Sequence, residues 1–270
     1  MIGRKRGIIA VLTLAALLFW HLPRLLLNRQ IRKEQEETVQ MYVREEKEEE
    51  KERNEKEQDP GRDGSDPELC RIIDFAELRY KNREICAWIW VPGCGLDVPV
   101  VRGEDDVYYL THNAFGEERI SGSIFAPCDT PEDFSEQHTI LYGHNMRDGT
   151  MFGGLKKYRN APFVQTYPQV YLYLPDEAWR CRIFCVEETD AKSDVYQTGT
   201  WKKTDWNAWL QERKENSLVV VSDFAGKMQK VLTLSTCIGD GSTSKRLAVH
   251  AVAEEIFTID SGRKRGSVLE

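Results

Sequence analysis

The sequence predicts a mainly β fold, a closed or nearly closed β-barrel with a few helices, and three observations carry that prediction. First, short runs of β-branched and aromatic residues recur at 87–91, 98–102, 122–126, 138–142, 170–174, 179–187, 218–221, 231–236 and 247–257, a spacing typical of strands separated by turns. Many short strands in one chain avoid exposed edges by closing on themselves. Second, helical spacing is sparse: 74–80 opens on a capping-type aspartate, and 150–158 and 204–214 join it. Third, the apolar run Val231-Leu-Thr-Leu-Ser-Thr-Cys237 stops on a cysteine, meets a glycine-rich turn, and resumes at Arg246 as Leu247-Ala-Val-His-Ala-Val-Ala253. A hairpin there returns the guanidinium beside the sulfur.

Taken in order, the ends of the chain differ from its middle. Arg4-Lys-Arg6 precedes an apolar run from Gly7 to Leu22 that extends past Pro23 and Arg24 to Leu27, which predicts a membrane anchor over 1–27. A signal peptide is the alternative, but Leu17-Leu-Phe-Trp20 offers no small-x-small cleavage site. The basic cluster ahead of the run predicts a cytoplasmic N-terminus and an exported remainder. Residues 28–67 form a charged linker or stalk too poor in apolar side chains to fold alone. Residues 28–66 hold fourteen acidic and nine basic side chains, so most of the formal net charge of −7 lies there and the rest of the chain is near neutral. No nucleic-acid partner is expected. The composition, 41% hydrophobic and 10% aromatic, is globular, and the folded domain is expected over 68–258, with 259–270 as a tail. Inside it, the long connection 188–217 carries Trp206, Trp209 and Leu210 at i, i+3 and i+4, a stripe that packs as core. Long ordered connections often carry function.

Reactive residue types collect at strand ends. Cys237 ends one run, Arg246 opens the next, and His144 follows a third in Thr139-Ile-Leu-Tyr-Gly-His-Asn-Met146. That trio points to thiol chemistry. The seven cysteines, Cys70, Cys86, Cys94, Cys128, Cys181, Cys185 and Cys237, are an odd set, so at least one thiol stays free or pairs between chains. None has C-x-x-C spacing, and the even separation of Cys181 and Cys185 places both on one strand face. Six of the seven read as small buried hydrophobes. His112, His138 and His250 read as structural, and with His144 they show no metal-ligand spacing to the cysteines. No metal or other cofactor is expected.

Several ordered motifs together resemble the class B sortases: Thr233-Leu-Ser-Thr-Cys237, Tyr142-Gly-His-Asn-Met146 with Met151-Phe-Gly153 behind it, Gly122-Ser-Ile-Phe125, and Trp88-Ile-Trp-Val-Pro-Gly93 with Val98-Pro-Val-Val101. The resemblance covers about residues 68 to 257. It implies a closed barrel of about eight strands, with helices before the first strand and one in the long connection before the cysteine strand. It also implies a membrane-anchored cysteine transpeptidase of Gram-positive bacteria.

On that resemblance, Cys237 attacks the carbonyl of a threonine in a C-terminal sorting signal and forms a thioester. Arg246 favours the thiolate or donates to the oxyanion, and His144 moves protons to and from the leaving and incoming amines. The family's peptide groove maps onto Asp105-Asp-Val-Tyr-Tyr-Leu110, giving Leu110 and Asp106, the latter in place of an asparagine. It maps also onto Tyr196 and Thr198 in the connection, while Ser235 and Thr236 adjoin the nucleophile. The implied partners are exported proteins bearing sorting signals and an amine of a peptidoglycan precursor or a pilin, with the membrane engaged through the N-terminal helix. The competing readings are a membrane-anchored cysteine peptidase and a non-catalytic surface scaffold on the same barrel.

Overall fold

Eight strands close into a ring because each alternates residues that pack inside with residues that face a second layer. The computed structural model describes residues 26–45, 71–221, 230–239, 241–260 and 263–267. Its strands are β1 (Val43–Glu45), β2 (Arg71–Ile73), β3 (Ile85–Val91), β4 (Leu96–Val101), β5 (Ile124–Phe125), β6 (His138–Tyr142), β7 (Gln169–Tyr173), β8 (Glu177–Asp190), β9 (Val231–Cys237), β10 (Lys245–Asp260) and β11 (Arg263–Ser267). The main sheet runs β11-β10-β8-β7-β3-β4-β5-β6-β9, and β9 pairs back onto β10 to close the barrel. Closure removes the open edges. Inside lie Ile89, Val100, Ile124, Leu141, Leu172, Ile183, Leu232, Leu234 and Val249, all fully buried, each contributing about 1.5–3 kcal/mol by leaving water.

Helices cover the barrel. α1 spans 26–42, α2 is Phe75–Lys81, α3 is Ala161–Thr166 and α4 is Lys203–Glu215. Asp74 caps α2 by accepting the Glu77 N–H at 3.0 Å. The expected helix at 150–158 is a 3₁₀ segment, Phe152–Arg159. α4 lays Trp206, Trp209 and Leu210 on Phe184, Cys185, Val231 and Val252 of the barrel's outer face.

Four sequence expectations need correction or extension. The first part of the charged stretch does not stand free: α1 buries Ile31 and Tyr42, Glu34 pairs with Arg119 at 3.3 Å, and β1 pairs with β2. A few apolar residues at helical spacing suffice once a barrel is present to receive them. Residues 218–221 are not a strand. They make one ladder-like bond, Leu218 N–H to Val186 O at 2.7 Å, while Val220 is 88% exposed. Cys181 and Cys185 do not share a face, because the β8–β10 register shifts between Ile183 and Cys185. The extra residue, Phe184, is a β-bulge; Cys181 packs in the barrel interior and Cys185 under α4. Within the expected tail, β11 pairs with β10.

Among the described residues no helix is long and apolar enough to cross a membrane. The expected anchor over 1–27 lies outside the described residues but for its last two.

Candidate active site

Three adjacent strands bring His144, Cys237 and Arg246 into one row. β6 and β9 run parallel, with Tyr142 opposite Ser235. Two residues further on each strand sets His144 level with Cys237. Arg246 is the antiparallel partner of Cys237 across β9 and β10. All three are half-buried at the same mouth of the barrel.

Local sequence explains each placement. Gly143 packs so closely on Ile124 and Phe152 that an added Cβ would overlap both, so glycine lets β6 end there and deliver His144. Thr236 Oγ1–H donates to the Gly143 carbonyl at 2.7 Å, tying the cysteine strand to the histidine strand. Gly239 and Gly241 adopt φ of 73° and 81°, left-handed values that let the chain turn from Cys237 toward Arg246. The Arg246 guanidinium is anchored through Nη1, which donates to the Thr243 and Lys245 carbonyls at 3.0 Å each.

The His144 tautomer follows from its partner. Nε2 lies 2.7 Å from the Leu110 carbonyl, and a carbonyl only accepts, so Nε2 carries the hydrogen and Nδ1 is the nitrogen able to exchange a proton. Leu110 closes the 3₁₀ turn Tyr108–Leu110. Gly122, at φ 56°, supports that turn: a Cβ there would sit 2.6 Å from the Tyr109 oxygen and 2.8 Å from the Leu110 oxygen. Gly122→Ala is therefore expected to displace the carbonyl that orients His144. Left-handed strain of about 1–2 kcal/mol should lower the melting temperature by several degrees, and misplacement of the ring should lower any kcat/KM that depends on it by as much as about 10²-fold. Parallel melting and kinetic measurements on the variant check this.

The other described thiols differ from Cys237 in setting. Burial pushes Cys86 and Cys94 up to about 12 and raises Cys181 and Cys185 as well. Cys128, expected as a small buried hydrophobe, is instead exposed, because it lies in a surface turn rather than in a strand, and desolvation together with the Asp106 carboxylate raises it. Asp106 also accepts the Cys128 backbone N–H at 2.8 Å. Tyr196 hydrogen-bonds Ser235 Oγ at 2.8 Å and faces Tyr142 with ring centroids 6.0 Å apart; burial pushes its phenol up to about 12. Ser235 and Thr236 are buried, their hydroxyls occupied by Tyr196 and Gly143. Thr198 is exposed two residues beyond Tyr196, and no described contact ties it to the row.

Beneath the row lies a buried polar chain that sequence reasoning missed, built from His138, Thr233, His250, Glu187 and Arg213. Its signal was alternation: stepping in even numbers back from His144 and Cys237 and on from Arg246 reaches His138, Thr233 and His250 on the same outer face. Cys185, Glu187 and His250 come within 4.8 Å of one another. They are engaged without an ion, since Cys185 donates to the Arg213 carbonyl at 2.9 Å, both His250 nitrogens are bonded, and the Arg213 cation approaches Glu187 at 3.5 Å.

A sortase-domain family model matches residues 89–254. Sortase B of Listeria monocytogenes is 30% identical over 164 residues, covering 61% of this chain and 67% of that protein. The crystal structure of Staphylococcus aureus sortase B superposes with a TM-score of 0.63 at 28% identity, covering 70% of this chain and 88% of that one; the S. aureus sortase B–substrate complex and a sortase B structure with Gly3 align at 0.63 as well. Clostridium perfringens sortase B gives 0.61 at 32% identity over 69% of this chain and 100% of that chain. With the barrel, the row of histidine, cysteine and arginine, and a family model spanning more than half of its length, the chain belongs to the sortase family, in its class B.

Proposed function

We propose that this sortase transpeptidase cleaves a C-terminal sorting signal after threonine and transfers the acyl group to an amine, with Cys237 as nucleophile. The observation that carries the reading is the alignment of His144, Cys237 and Arg246 across β6, β9 and β10. The Cys237 thiolate attacks the threonine carbonyl, the peptide C–N bond breaks, and the departing amine takes a proton from His144. An incoming amine then attacks the thioester carbonyl and gives up a proton to His144; the new C–N bond forms as the C–S bond breaks, regenerating the thiolate. Arg246, fixed through Nη1, has Nη2 and Nε left to donate to the tetrahedral oxyanion.

The acceptor is an amine of a peptidoglycan precursor or a pilin. A sortase B solved with Gly3 makes triglycine a suitable probe. Residues 1–27 are proposed as the membrane anchor that holds the enzyme at the cell surface. Incubating the protein with a sorting peptide, with and without triglycine, tests the reading. Transfer product that rises with triglycine at the expense of hydrolysis supports it; hydrolysis indifferent to amine favours a peptidase.

Leu110, Asp106, Tyr196, Thr198, Ser235 and Thr236 are proposed to shape the signal groove, the last two by holding its walls. An ionised Asp106 only accepts hydrogen bonds, so the first signal position is expected to favour a donor or a cation. Comparing the protein with Asp106→Asn on peptides varied only at that position checks it. A shifted profile is the expected outcome, and identical profiles contradict the role.

A further inference from the structure

We propose that the buried chain beneath the row is a positioning clamp that fixes segment 194–198 over the candidate nucleophile, making His138 and Arg213 specificity-determining positioning residues of the signal groove. This rests on the reading of Tyr196 as a groove residue.

The segment has no strand pairing of its own. It is a 3₁₀ turn, Asp194–Tyr196, in the connection between β8 and α4, and it is held at two points. At one end His138 Nδ1 meets the Gln197 carbonyl at 2.7 Å. At the other, Arg213 Nη1 approaches the Asp194 carboxylate at 3.6 Å while Trp209 Nε1–H donates to the Asp194 carbonyl at 3.2 Å. Tyr196 lies between these tethers, its hydroxyl on Ser235, two residues before Cys237.

The two tethers are one structure. From His138 Nε2 hydrogen bonds pass to Thr233 Oγ1 at 2.7 Å, to His250 Nδ1 at 2.8 Å and to Glu187 Oε1 at 3.0 Å; Glu187 then faces Arg213 Nε at 3.5 Å in an ion-pair contact without a hydrogen bond. Every residue in it is 3% exposed or less. The Phe184 bulge makes it possible, because without the extra residue Glu187 would face the barrel interior.

Donor directions follow from its ends. The Gln197 carbonyl only accepts, so His138 carries its hydrogen on Nδ1. Burial pushes His138 down to about 3, so the ring is neutral and its Nε2 accepts from Thr233. Burial lowers His250 as well, and its Nε2 meets the Glu187 carboxylate, which faces the Arg213 cation. A row of apolar side chains would pack at least as stably. What the polar row adds is a fixed register for the segment it reaches.

The test uses the full chain, with steady-state cleavage of a sorting peptide, alkylation of Cys237 by iodoacetamide, and hydrogen exchange of amides 194–198. His138→Phe keeps a flat ring and removes both bonds, whereas His138→Asn retains an N–H near the Nδ1 position. His138→Phe is expected to raise KM about tenfold while kcat and the alkylation rate stay within about threefold, and to speed exchange in 194–198. His138→Asn is expected to restore KM and exchange most of the way to wild type. Unchanged KM and exchange in His138→Phe, or an asparagine variant as impaired as the phenylalanine one, overturns the clamp. If His138→Phe does not fold, the isosteric Thr233→Val cuts the chain at its middle and should give a smaller change of the same kind; unchanged values again overturn it. Hydrogen exchange needs no substrate, so a protein that fails to cleave the peptide refutes the proposed function while exchange still decides the clamp.

Discussion

Replacement of Cys237 by alanine is expected to abolish both cleavage and transfer while leaving the fold intact. Sγ sits half-buried at the last residue of β9, and the β9 pairings to β6 and β10 are made by backbone, so closure of the barrel does not depend on the sulfur. Loss of contacts at such a site costs roughly 0.5 kcal/mol or less. The loss in rate should be about 10⁶-fold, the order that follows removal of a nucleophile acting through a covalent intermediate. Rate assays beside a thermal melt give both numbers. Single replacement of Cys86, Cys94, Cys128, Cys181 or Cys185, or of Cys70 outside the described residues, should instead leave cleavage in place. At the buried positions stability falls. Substantial turnover by Cys237→Ala would remove the thiol from the mechanism.

Arg246→Lys is expected to be severely impaired, although the charge is retained. In the proposed mechanism the guanidinium serves two purposes at once: Nη1 binds the carbonyls of Thr243 and Lys245, and the remaining N–H groups stay available to the reacting carbonyl. An ammonium has one nitrogen and cannot span both. Losing one oxyanion donor typically costs about 10²–10³-fold in rate. That range is expected in kcat for the lysine variant, with KM changed little. Near-normal kcat would reduce Arg246 to a general positive charge.

The features these predictions use were legible in sequence to unequal degrees. Strand 138–142 has the observed bounds of β6, because the β-branched, apolar and aromatic residues Thr139 to Tyr142 run without interruption up to Gly143. The pairing of Cys237 with Arg246 follows from a cysteine-ended run, a turn with two glycines and a second run, which leaves few registers open. The position of His144 needed one further fact, the parallel pairing of β6 with β9, and pairing order is not written in local sequence. The motif resemblance supplied the role of His144, and the pairing itself came from the structure. Three features stayed hidden for physical reasons. The Phe184 bulge is defined by its partner strand, so alternation read along β8 alone misplaces Cys185 and Glu187. The docking of α1 depends on isolated residues such as Ile31 and Tyr42, whose burial is decided by the surface they meet rather than by their charged neighbours. His138 and His250 read as structural singly; that they join through Thr233 is visible only after β6, β9 and β10 are set side by side.

The central claim is that Cys237 forms an acyl intermediate that an amine discharges. Intact-mass and peptide-level mass spectrometry of the protein, quenched in acid during turnover of a sorting peptide, tests it most directly. The predicted result is an adduct equal in mass to the signal fragment ending in threonine, carried by the peptide that contains Cys237, absent from Cys237→Ala and depleted when triglycine is present. Turnover with no adduct on Cys237, or an adduct on another cysteine, would contradict it.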